Sequence, residues 1–259
     1  MNKVILFGAS GKLGKELHKL YPNALAPSHV DLDITDYDKL TRFFTKESID
    51  EYDTIINLVA GVSPPQCEKN KGWAWRTTVE GTQNLTEIIN NLGLKFNLGL
   101  MSTPCIFSGN GPYDEYSIPN PDGQFYGFTK VIQETIIKNS RQNWMVFRAN
   151  FVPYEKWAFL KAFSDRTSNY LFAHDLARAI KETIEECEWN TVYHLVGTQE
   201  MTMLDLARLC PDSQNTLPYT LEEYYAEHPN SGKLTKDMRL DTINRKKKFD
   251  LTFPTEGIK

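Results

Sequence analysis

The chain has 259 residues, 41% of them hydrophobic, which suffices for one large α/β domain or for a domain with a small second lobe. Its formal net charge of -4 argues against a general nucleic-acid binder, and the basic run 245–248 favours a solvated helix face. No apolar stretch approaches the roughly 18 residues that span a membrane, and the apolar N-terminal run is too short for a signal peptide. We therefore expect a cytoplasmic protein without nucleic-acid or membrane partners.

Metal and disulfide chemistry are not indicated by the sequence. The cysteines are widely spaced and form no C-x-x-C motif, and the five histidines form no H-x-x-x-H pair. Reduced thiols in a cytosolic protein are the simplest interpretation. We predict no metal site.

Apolar runs alternate with amphipathic stretches, which favours βαβ units and a parallel sheet. The predicted strands and helices, in chain order, are strand 3–7, helix 11–20, strands 23–26 and 30–34, helix 36–45, strand 54–59, helix 75–92, strand 96–101, helix 124–139, strand 144–148, helix 173–186, strand 191–196 and helix 203–209. Gly93 is predicted to end the helix 75–92. After residue 150 the pattern loosens, and the segment 211–259 is rich in polar residues and turns.

A glycine-rich turn follows the first predicted strand and opens the first predicted helix. It reads Gly8-Ala9-Ser10-Gly11-Lys12-Leu13-Gly14, one residue wider at its start than the G-x-G-x-x-G pattern of dinucleotide-binding folds. Glycines permit a tight turn and a close backbone approach to a pyrophosphate, and the amides at a helix N-terminus favour the anion. The turn therefore predicts dinucleotide binding, with Gly8, Ser10, Gly11, Lys12, Leu13 and Gly14 as contacts.

The turn and the element pattern together predict an α/β protein with a Rossmann-like doubly wound parallel sheet and a small C-terminal substrate lobe. Residues 1–150 would form the dinucleotide-binding domain, to which residues 171–197 return. Residues 151–170 and 198–259 would form the lobe. No clean boundary is visible, so two separated segments are expected to build it.

The loop after the second predicted strand bears on the choice of dinucleotide. An acidic residue at that strand end would bind the ribose 2′-hydroxyl and favour NAD. Here no acid follows Leu25 before Asp31. Without a carboxylate to repel it, a 2′-phosphate could be accommodated, with Ser28 and His29 as donors. The sequence therefore slightly favours NADP(H) over NAD(H).

Tyr126 and Lys130 are one helical turn apart in a segment predicted to be helical, so they share a face. A phenol with a pKa of about 10 is poorly matched to proton exchange near neutral pH, and a neighbouring ammonium would lower that pKa. Upstream, the Thr103 hydroxyl could hold a carbonyl oxygen against the phenol. Alone, the Y-x-x-x-K spacing is common on surface helices. With Thr103, it predicts a proton-transfer site for carbonyl or alcohol chemistry.

With these motifs in this order, the chain resembles the extended short-chain dehydrogenase/reductase family, most of all its dTDP-4-dehydrorhamnose reductase branch. The similar segments cover nearly the whole chain, and they are Asp31-Leu32-Asp33-Ile34-Thr35-Asp36, Asn57-Leu58-Val59-Ala60-Gly61, Val79-Glu80-Gly81-Thr82-Gln83-Asn84-Leu85, Met101-Ser102-Thr103, Phe107-Ser108-Gly109, Gly111-Pro112-Tyr113-Asp114-Glu115, His174-Asp175-Leu176-Ala177-Arg178-Ala179, Tyr193-His194-Leu195-Val196-Gly197 and Arg239-Leu240-Asp241-Thr242.

The resemblance implies roles for the residues of the proton-transfer site. Tyr126 would be the general acid for ketone reduction, and Lys130 would lower its pKa and bind the nicotinamide ribose. Thr103 would hold the substrate oxygen, with Ser102 as the substitute. The cofactor would supply the hydride.

The resemblance also implies binding residues. Further cofactor contacts would come from Asp33, Ile34, Leu58, Val59 and Ala60. Arg148 and Arg239 are candidates for the diphosphate of a nucleotide-sugar substrate, because guanidinium groups suit bidentate phosphate contacts. A structural salt bridge is the alternative for each arginine. A homodimer is a further expectation.

Two departures from the family pattern concern the sugar side. Pro104 stands where the reductases carry an acid, and Pro104-Cys105 cannot supply the Asp-Glu pair of the 4,6-dehydratase branch, which argues against dehydration. Thr78 stands where the long helix of the family has asparagine. The leading hypothesis is an NAD(P)-dependent reductase of a keto group on a nucleotide-activated sugar. The alternatives are an epimerase with tightly retained NAD and a non-catalytic, cofactor-binding regulatory subunit.

Overall fold

The computed structural model describes residues 3–61, 63–229 and 231–254. The strands are β1 (Val4–Phe7), β2 (Thr54–Asn57), β3 (Asn97–Ser102), β4 (Asn143–Arg148), β5 (Phe151–Val152), β6 (Lys161–Phe163), β7 (Thr167–Ser168), β8 (Leu171–Phe172), β9 (Thr191–His194), β10 (Met201–Thr202) and β11 (Leu217–Tyr219). The α-helices are α1 (Lys12–Leu20), α2 (Tyr37–Phe44), α3 (Pro64–Lys69), α4 (Lys71–Trp75), α5 (Gly81–Asn91), α6 (Phe125–Lys138), α7 (Ala173–Glu186), α8 (Met203–Leu209) and α9 (Leu221–Glu227).

A parallel five-stranded sheet forms the centre of the molecule, in the order β1-β2-β3-β4-β9. Apolar side chains lie on both faces of these strands because both faces are covered. Val4 and Leu6 pack with α1 and α7 in one cluster, whereas Ile5 and Phe7 pack with α2 and α5 in the other. The predicted α/β fold with a Rossmann-like sheet is confirmed.

The second predicted strand, 23–26, is reduced to one bridge beside β1. Leu25 donates its amide to the carbonyl of Val4 at 2.9 Å and accepts the amide of Leu6 at 2.9 Å, on the edge of β1 opposite β2. The chain then crosses over β1 to form β2. Ligands of doubly wound sheets bind at the carboxyl ends of the strands beside such a crossing.

The predicted strand 30–34 is wrong, because this segment forms turns. Its apolar residues Leu32 and Ile34 are buried against the sheet instead of pairing with it. A Cβ added to Gly81 would lie 2.7 Å from Ile34 Cγ1, so α5 packs closely on this loop. The apolar pattern that suggested a strand therefore reflects packing against a helix.

The long helix predicted at 75–92 begins earlier than expected. α4 continues through a π-helical segment (Arg76–Glu80) into α5, and Gly93 follows the helix end with a φ of +69°. Thr78 lies in the π-helical segment, where its hydroxyl accepts the amide of Gly61 at 2.9 Å. The Thr82 hydroxyl donates to the carbonyl of Thr78 at 2.8 Å. Such segments are frequent at functional sites.

Segments 151–170 and 198–254 make short pairings with each other, β6 with β11 and β7 with β10. Within the first segment and just beyond it, β5 pairs with β8. We propose that these segments form the substrate lobe, as predicted. Residues 255–259, also assigned to that lobe, lie outside the described residues.

The Glu115 carboxylate ties the outer strand β9 to the C-terminal segment. It is buried and accepts hydrogen bonds from the amide of His194 at 3.1 Å, the amide of Ile243 at 2.8 Å and the hydroxyl of Thr242 at 3.0 Å. Three donors compensate for the burial of this charge.

The basic run 245–248 is not the predicted helix face. It is irregular chain that lies along α7, where Glu182 and Glu186 attract it. Arg245 is 2.5 Å from Glu182 and 3.3 Å from Glu186, and Lys247 also pairs with Glu182. Lys248 lies 3.8 Å from Asp241, so three of the four cations are paired with carboxylates within the chain.

Across the described ranges, no helix has the length and apolar character needed to cross a membrane. Within the same residues, no cluster of three or more histidine, cysteine or acidic side chains is arranged to hold a metal ion. The four cysteines are free thiols, and only Cys187 is not buried.

Candidate functional site

A cavity of about 340 Å³ lies at the carboxyl ends of the parallel strands. The glycine turn lines one side of it, and the start of α6 lines another. Leu58 and Ala60 after β2, Ser102 and Thr103 at the end of β3, and Ala149 after β4 complete the sheet side. The cavity therefore lies where the switch in strand order predicts a ligand.

The glycine turn has the shape of an anion cradle. Gly8 has a φ of +85°, and a Cβ on Gly14 would lie 2.2 Å from the carbonyl oxygen of Gly8, so only glycine fits there. α1 begins at Lys12 with no side-chain cap and no acidic residue in its first turn. Its free amides therefore suit an anion. Ser10 is exposed and does not line the cavity, unlike Gly8, Gly11, Lys12, Leu13 and Gly14.

Thr103 and Tyr126 both line the cavity. Beyond β3, Thr103 remains extended and its hydroxyl accepts the amide of Cys105 at 3.2 Å, which caps the 3₁₀ turn Pro104–Ile106. α6 approaches this turn closely because of Gly127, where a Cβ would lie 2.2 Å from the carbonyl oxygen of Cys105. Tyr126, in the first turn of α6, is thereby brought against Thr103.

The Tyr126 phenol is buried, and burial favours its protonated form. Burial raises the pKa of Tyr126 above its usual value, and the neighbouring Thr103 hydroxyl opposes this rise. The expected lowering of the Tyr126 pKa by Lys130 is not found. The Lys130 ammonium donates to the Met101 carbonyl at 2.7 Å and to the side-chain oxygen of Gln133. Burial lowers the pKa of Lys130 itself to about 7, although Glu134 opposes this effect.

Ser102 and Arg148 belong to a buried ion-pair network beneath the cavity. Arg148 is bidentate to Glu134, at 2.9 Å from Nε to Oε1 and 2.8 Å from Nη2 to Oε2, and Ser102 donates to the same carboxylate at 2.7 Å. Burial raises the pKa of Glu134, but Arg148, Lys138 and Ser102 lower it to about 2. The Arg148 guanidinium also contacts His194 and does not line the cavity.

Arg239 is likewise occupied by carboxylates. It bonds to both oxygens of Asp237, at 2.9 and 2.8 Å, and to Glu200 at 3.0 Å, outside the cavity lining. Arg166 is the arginine that lines the cavity, buried and held through Nε by the Thr235 carbonyl at 2.8 Å. Sequence analysis did not single out Arg166, because no recognisable motif surrounds it.

The residues predicted to contact the adenosine half of the cofactor lie apart from this cavity. Ser28 and His29 are exposed; Ser28 donates to Asp31 at 2.5 Å, and His29 lies 3.7 Å from Asp33. Asp33 also accepts the amide of Thr35 at 2.8 Å.

Ile34 and Val59, two further predicted cofactor contacts, are not among the residues that line the cavity. Ile34 is buried beneath α5, and the Val59 carbonyl accepts the Gln133 amide at 3.0 Å.

The arrangement agrees with the comparison to known families. The family model described as RmlD substrate binding domain matches residues 1–255. The chain belongs to this family. The predicted resemblance to the extended short-chain dehydrogenase/reductases is thereby confirmed, and with it the class of NAD(P)-dependent oxidoreductases.

Solved structures with the same fold share little sequence with the chain. A dTDP-4-dehydrorhamnose reductase from Clostridium acetobutylicum has a TM-score of 0.78 at 22% identity, covering 94% of this chain and 91% of that one. A dTDP-4-dehydrorhamnose reductase from Bacillus anthracis in complex with NADP has a TM-score of 0.77 at 23% identity, covering 93% and 91%. The Bordetella bronchiseptica enzyme WbmH in complex with NAD+ has a TM-score of 0.68 at 17% identity, covering 93% and 90%. No curated protein matches the sequence.

Proposed function

We propose that the protein reduces a keto group on a nucleotide-activated sugar, with NAD(P)H as the reductant. The observation that carries this proposal is one cavity lined both by the glycine turn and by Thr103, Tyr126 and Lys130. The similar structures of dTDP-4-dehydrorhamnose reductases, one of them with NADP, support the same substrate class and cofactor.

The glycine turn fits a dinucleotide, because the space at Gly14 excludes any side chain and the amides of α1 lack a side-chain cap. When bound, the dinucleotide supplies the hydride for the carbonyl carbon. Lys130, which lines the cavity beside the turn, would hold the nicotinamide ribose.

Thr103 and Tyr126 act on the carbonyl oxygen of the substrate. The Thr103 hydroxyl holds this oxygen against the phenol, and Tyr126 gives its proton to it, so that the ketone becomes an alcohol. Because burial keeps the phenol protonated, Tyr126 is in the form that reduction requires. Pro104 and Cys105 bring no second acid, which fits simple reduction better than dehydration.

The substrate diphosphate is assigned to Arg166 in place of Arg148 and Arg239. Arg166 lines the cavity, and its guanidinium donates to the Thr235 carbonyl and the Met238 sulfur, two neutral acceptors that leave its charge unneutralised. The other two arginines are bonded to carboxylates, so we propose the structural alternative for both.

A modest preference for NADPH is proposed, and Asp31 is expected to limit it. The Asp31 carboxylate accepts the Ser28 hydroxyl, one of the two predicted donors to a 2′-phosphate, and like charges repel. Asp31→Asn should raise the ratio of kcat/KM for NADPH to that for NADH about fivefold. Steady-state kinetics with both cofactors measure this. An equal change with both cofactors would contradict the placement of the 2′-phosphate at Ser28.

Gly14→Ala is expected to weaken dinucleotide binding at least about tenfold, because the added Cβ would lie 2.2 Å from the Gly8 carbonyl oxygen. NADPH fluorescence titration measures the affinity. Gly72→Ala is the matched control, since a Cβ at Gly72 in α4 meets no atom within 4 Å among the described residues. The Gly72→Ala variant should bind NADPH as tightly as the wild-type protein and be equally or slightly more stable. If Gly14→Ala and Gly72→Ala bound NADPH with equal affinity, the glycine turn would not be part of the binding site.

The proposed function is tested with purified protein and a panel of nucleotide-activated keto-sugars. We expect one NAD(P)H to be oxidised for each sugar reduced. Protein that carries tightly bound NAD and interconverts sugar epimers without net oxidation would instead be an epimerase. Absence of turnover across the panel, with a partner enzyme that co-purifies, would favour the regulatory subunit.

A further inference from the structure

The side-chain amide of Gln133 lies between Lys130 and the long helix. Gln133 is fully buried in α6, one helical turn beyond Lys130. Its Nε2 donates to the Val59 carbonyl at 3.0 Å and to the Thr82 hydroxyl at 2.8 Å. Its Oε1 accepts from the Lys130 ammonium. All polar atoms of this buried side chain are therefore bonded.

The partners of Gln133 fix which end of the amide faces Lys130. Reversal would place the NH₂ group against the ammonium, two donors without an acceptor, and the amide oxygen against the Val59 carbonyl, two acceptors without a hydrogen. Thr82 could not compensate, because its hydroxyl hydrogen is already donated to the Thr78 carbonyl at 2.8 Å. The carbonyl oxygen of Gln133 is therefore held toward Lys130.

The same contacts fix the Lys130 ammonium. An ammonium has three hydrogens. One is donated to the Met101 carbonyl at 2.7 Å and one to Gln133, so the third is free to face the cavity that Lys130 lines. Both acceptors are neutral, so they stabilise the charged form without cancelling its charge.

We infer that Gln133 is a positioning residue, which aims the Lys130 ammonium into the cavity and stabilises its charged form there. The role of Lys130 in catalysis rests on the proposed function, but the contact of Gln133 with Lys130 does not. Gln133 acts through Lys130 and touches neither the glycine turn nor Tyr126 within the hydrogen bonds described.

The direct test is the titration of Lys130 in the full-length protein, followed by NMR with ¹³C-labelled lysine side chains. The resonance is assigned by its loss in Lys130→Arg. Gln133→Leu removes the acceptor and should lower the Lys130 pKa further below its usual value. Gln133→Glu places a carboxylate at the ammonium and should raise that pKa by about one unit or more. Opposite shifts cannot come from general damage to the fold.

Gln142→Leu is the matched control. Gln142 is a buried amide that donates to Asn90 at 2.9 Å and to the Leu94 carbonyl at 3.1 Å, without contact to Lys130. It should lower stability and leave the Lys130 titration unchanged. If a Gln133 variant fails to fold, Thr82→Val removes one anchor of the Gln133 amide and should give a smaller downward shift. Shifts of equal sign in both Gln133 variants, or none in either, would overturn the inference.

Kinetics then separate this inference from the proposed function. If charged Lys130 is required, kcat/KM falls as the pH rises through its pKa. This alkaline limb should move to lower pH in Gln133→Leu and to higher pH in Gln133→Glu. If the wild-type protein reduces no nucleotide keto-sugar, the proposed function fails, whereas the titration still decides the role of Gln133. An alkaline limb that stays in place while the Lys130 pKa moves would overturn the catalytic part of the inference.

Discussion

Tyr126→Phe is expected to lower kcat for keto-sugar reduction by about 10²–10⁴-fold, the usual contribution of a positioned general acid. The substitution removes only the phenolic oxygen, so the ring should still fill the wall beside Thr103. Affinity for NADPH should therefore change little. Single-turnover oxidation of NADPH measures the chemical step, and fluorescence titration measures cofactor binding.

Tyr21→Phe is the control for loss of a buried phenol. The Tyr21 hydroxyl is buried and has no hydrogen-bond partner among the described residues, and its ring packs with α1, away from the cavity. Its removal should leave kcat unchanged. A Tyr126→Phe enzyme that keeps nearly full kcat would show that the proton comes from another group.

Arg148→Leu is expected to lower the free energy of unfolding by about 3–5 kcal/mol at neutral pH, because it leaves the Glu134 carboxylate buried without its main partner. Chemical denaturation measures this loss. The companion variant Arg148→Leu with Glu134→Leu should recover part of it, since no stranded charge remains. If the double variant were as unstable as the single one, lost packing would be the cause.

The ion pair between Arg148 and Glu134 also makes the stability of the protein depend on pH. The folded-state pKa of Glu134 is lowered to about 2, so the stability it contributes is present above its unfolded pKa and is lost as the pH falls through the folded value. In Arg148→Leu, burial should raise that pKa, and protonation should relieve the stranded charge. The stability deficit is therefore expected to narrow from pH 7 to pH 5. Lys3→Met, which breaks an exposed pair with Glu51, should show no resolvable deficit.

The parts of the site that sequence reasoning predicted are those with a local cause. The glycine turn is defined by spacing within seven residues, and Tyr126 and Lys130 by one helical turn. Gln133 could have been noticed as a polar residue on the same helix, but its partners Val59 and Thr82 come together only in the fold. Arg166 reaches the cavity from a loop whose sequence has no recognisable motif.

The errors in the fold have a similar origin. The predicted strand around Leu25 forms only one β-bridge, because the chain leaves the edge of β1 after this residue. In residues 30–34 the apolar pattern serves contact with α5 near Gly81. Apolar character predicted burial correctly for Leu32 and Ile34, whereas Leu25 is only partly buried and Val30 is exposed. It could not show whether a segment is covered by a strand or by a helix.

Glu115 makes the outer strand of the sheet and the C-terminal segment dependent on each other. Neither β9 nor residues 242–243 can open to water without leaving a buried carboxylate short of donors. We therefore expect the amide hydrogens of His194 and Ile243 to exchange with solvent as one unit, although they are distant in sequence.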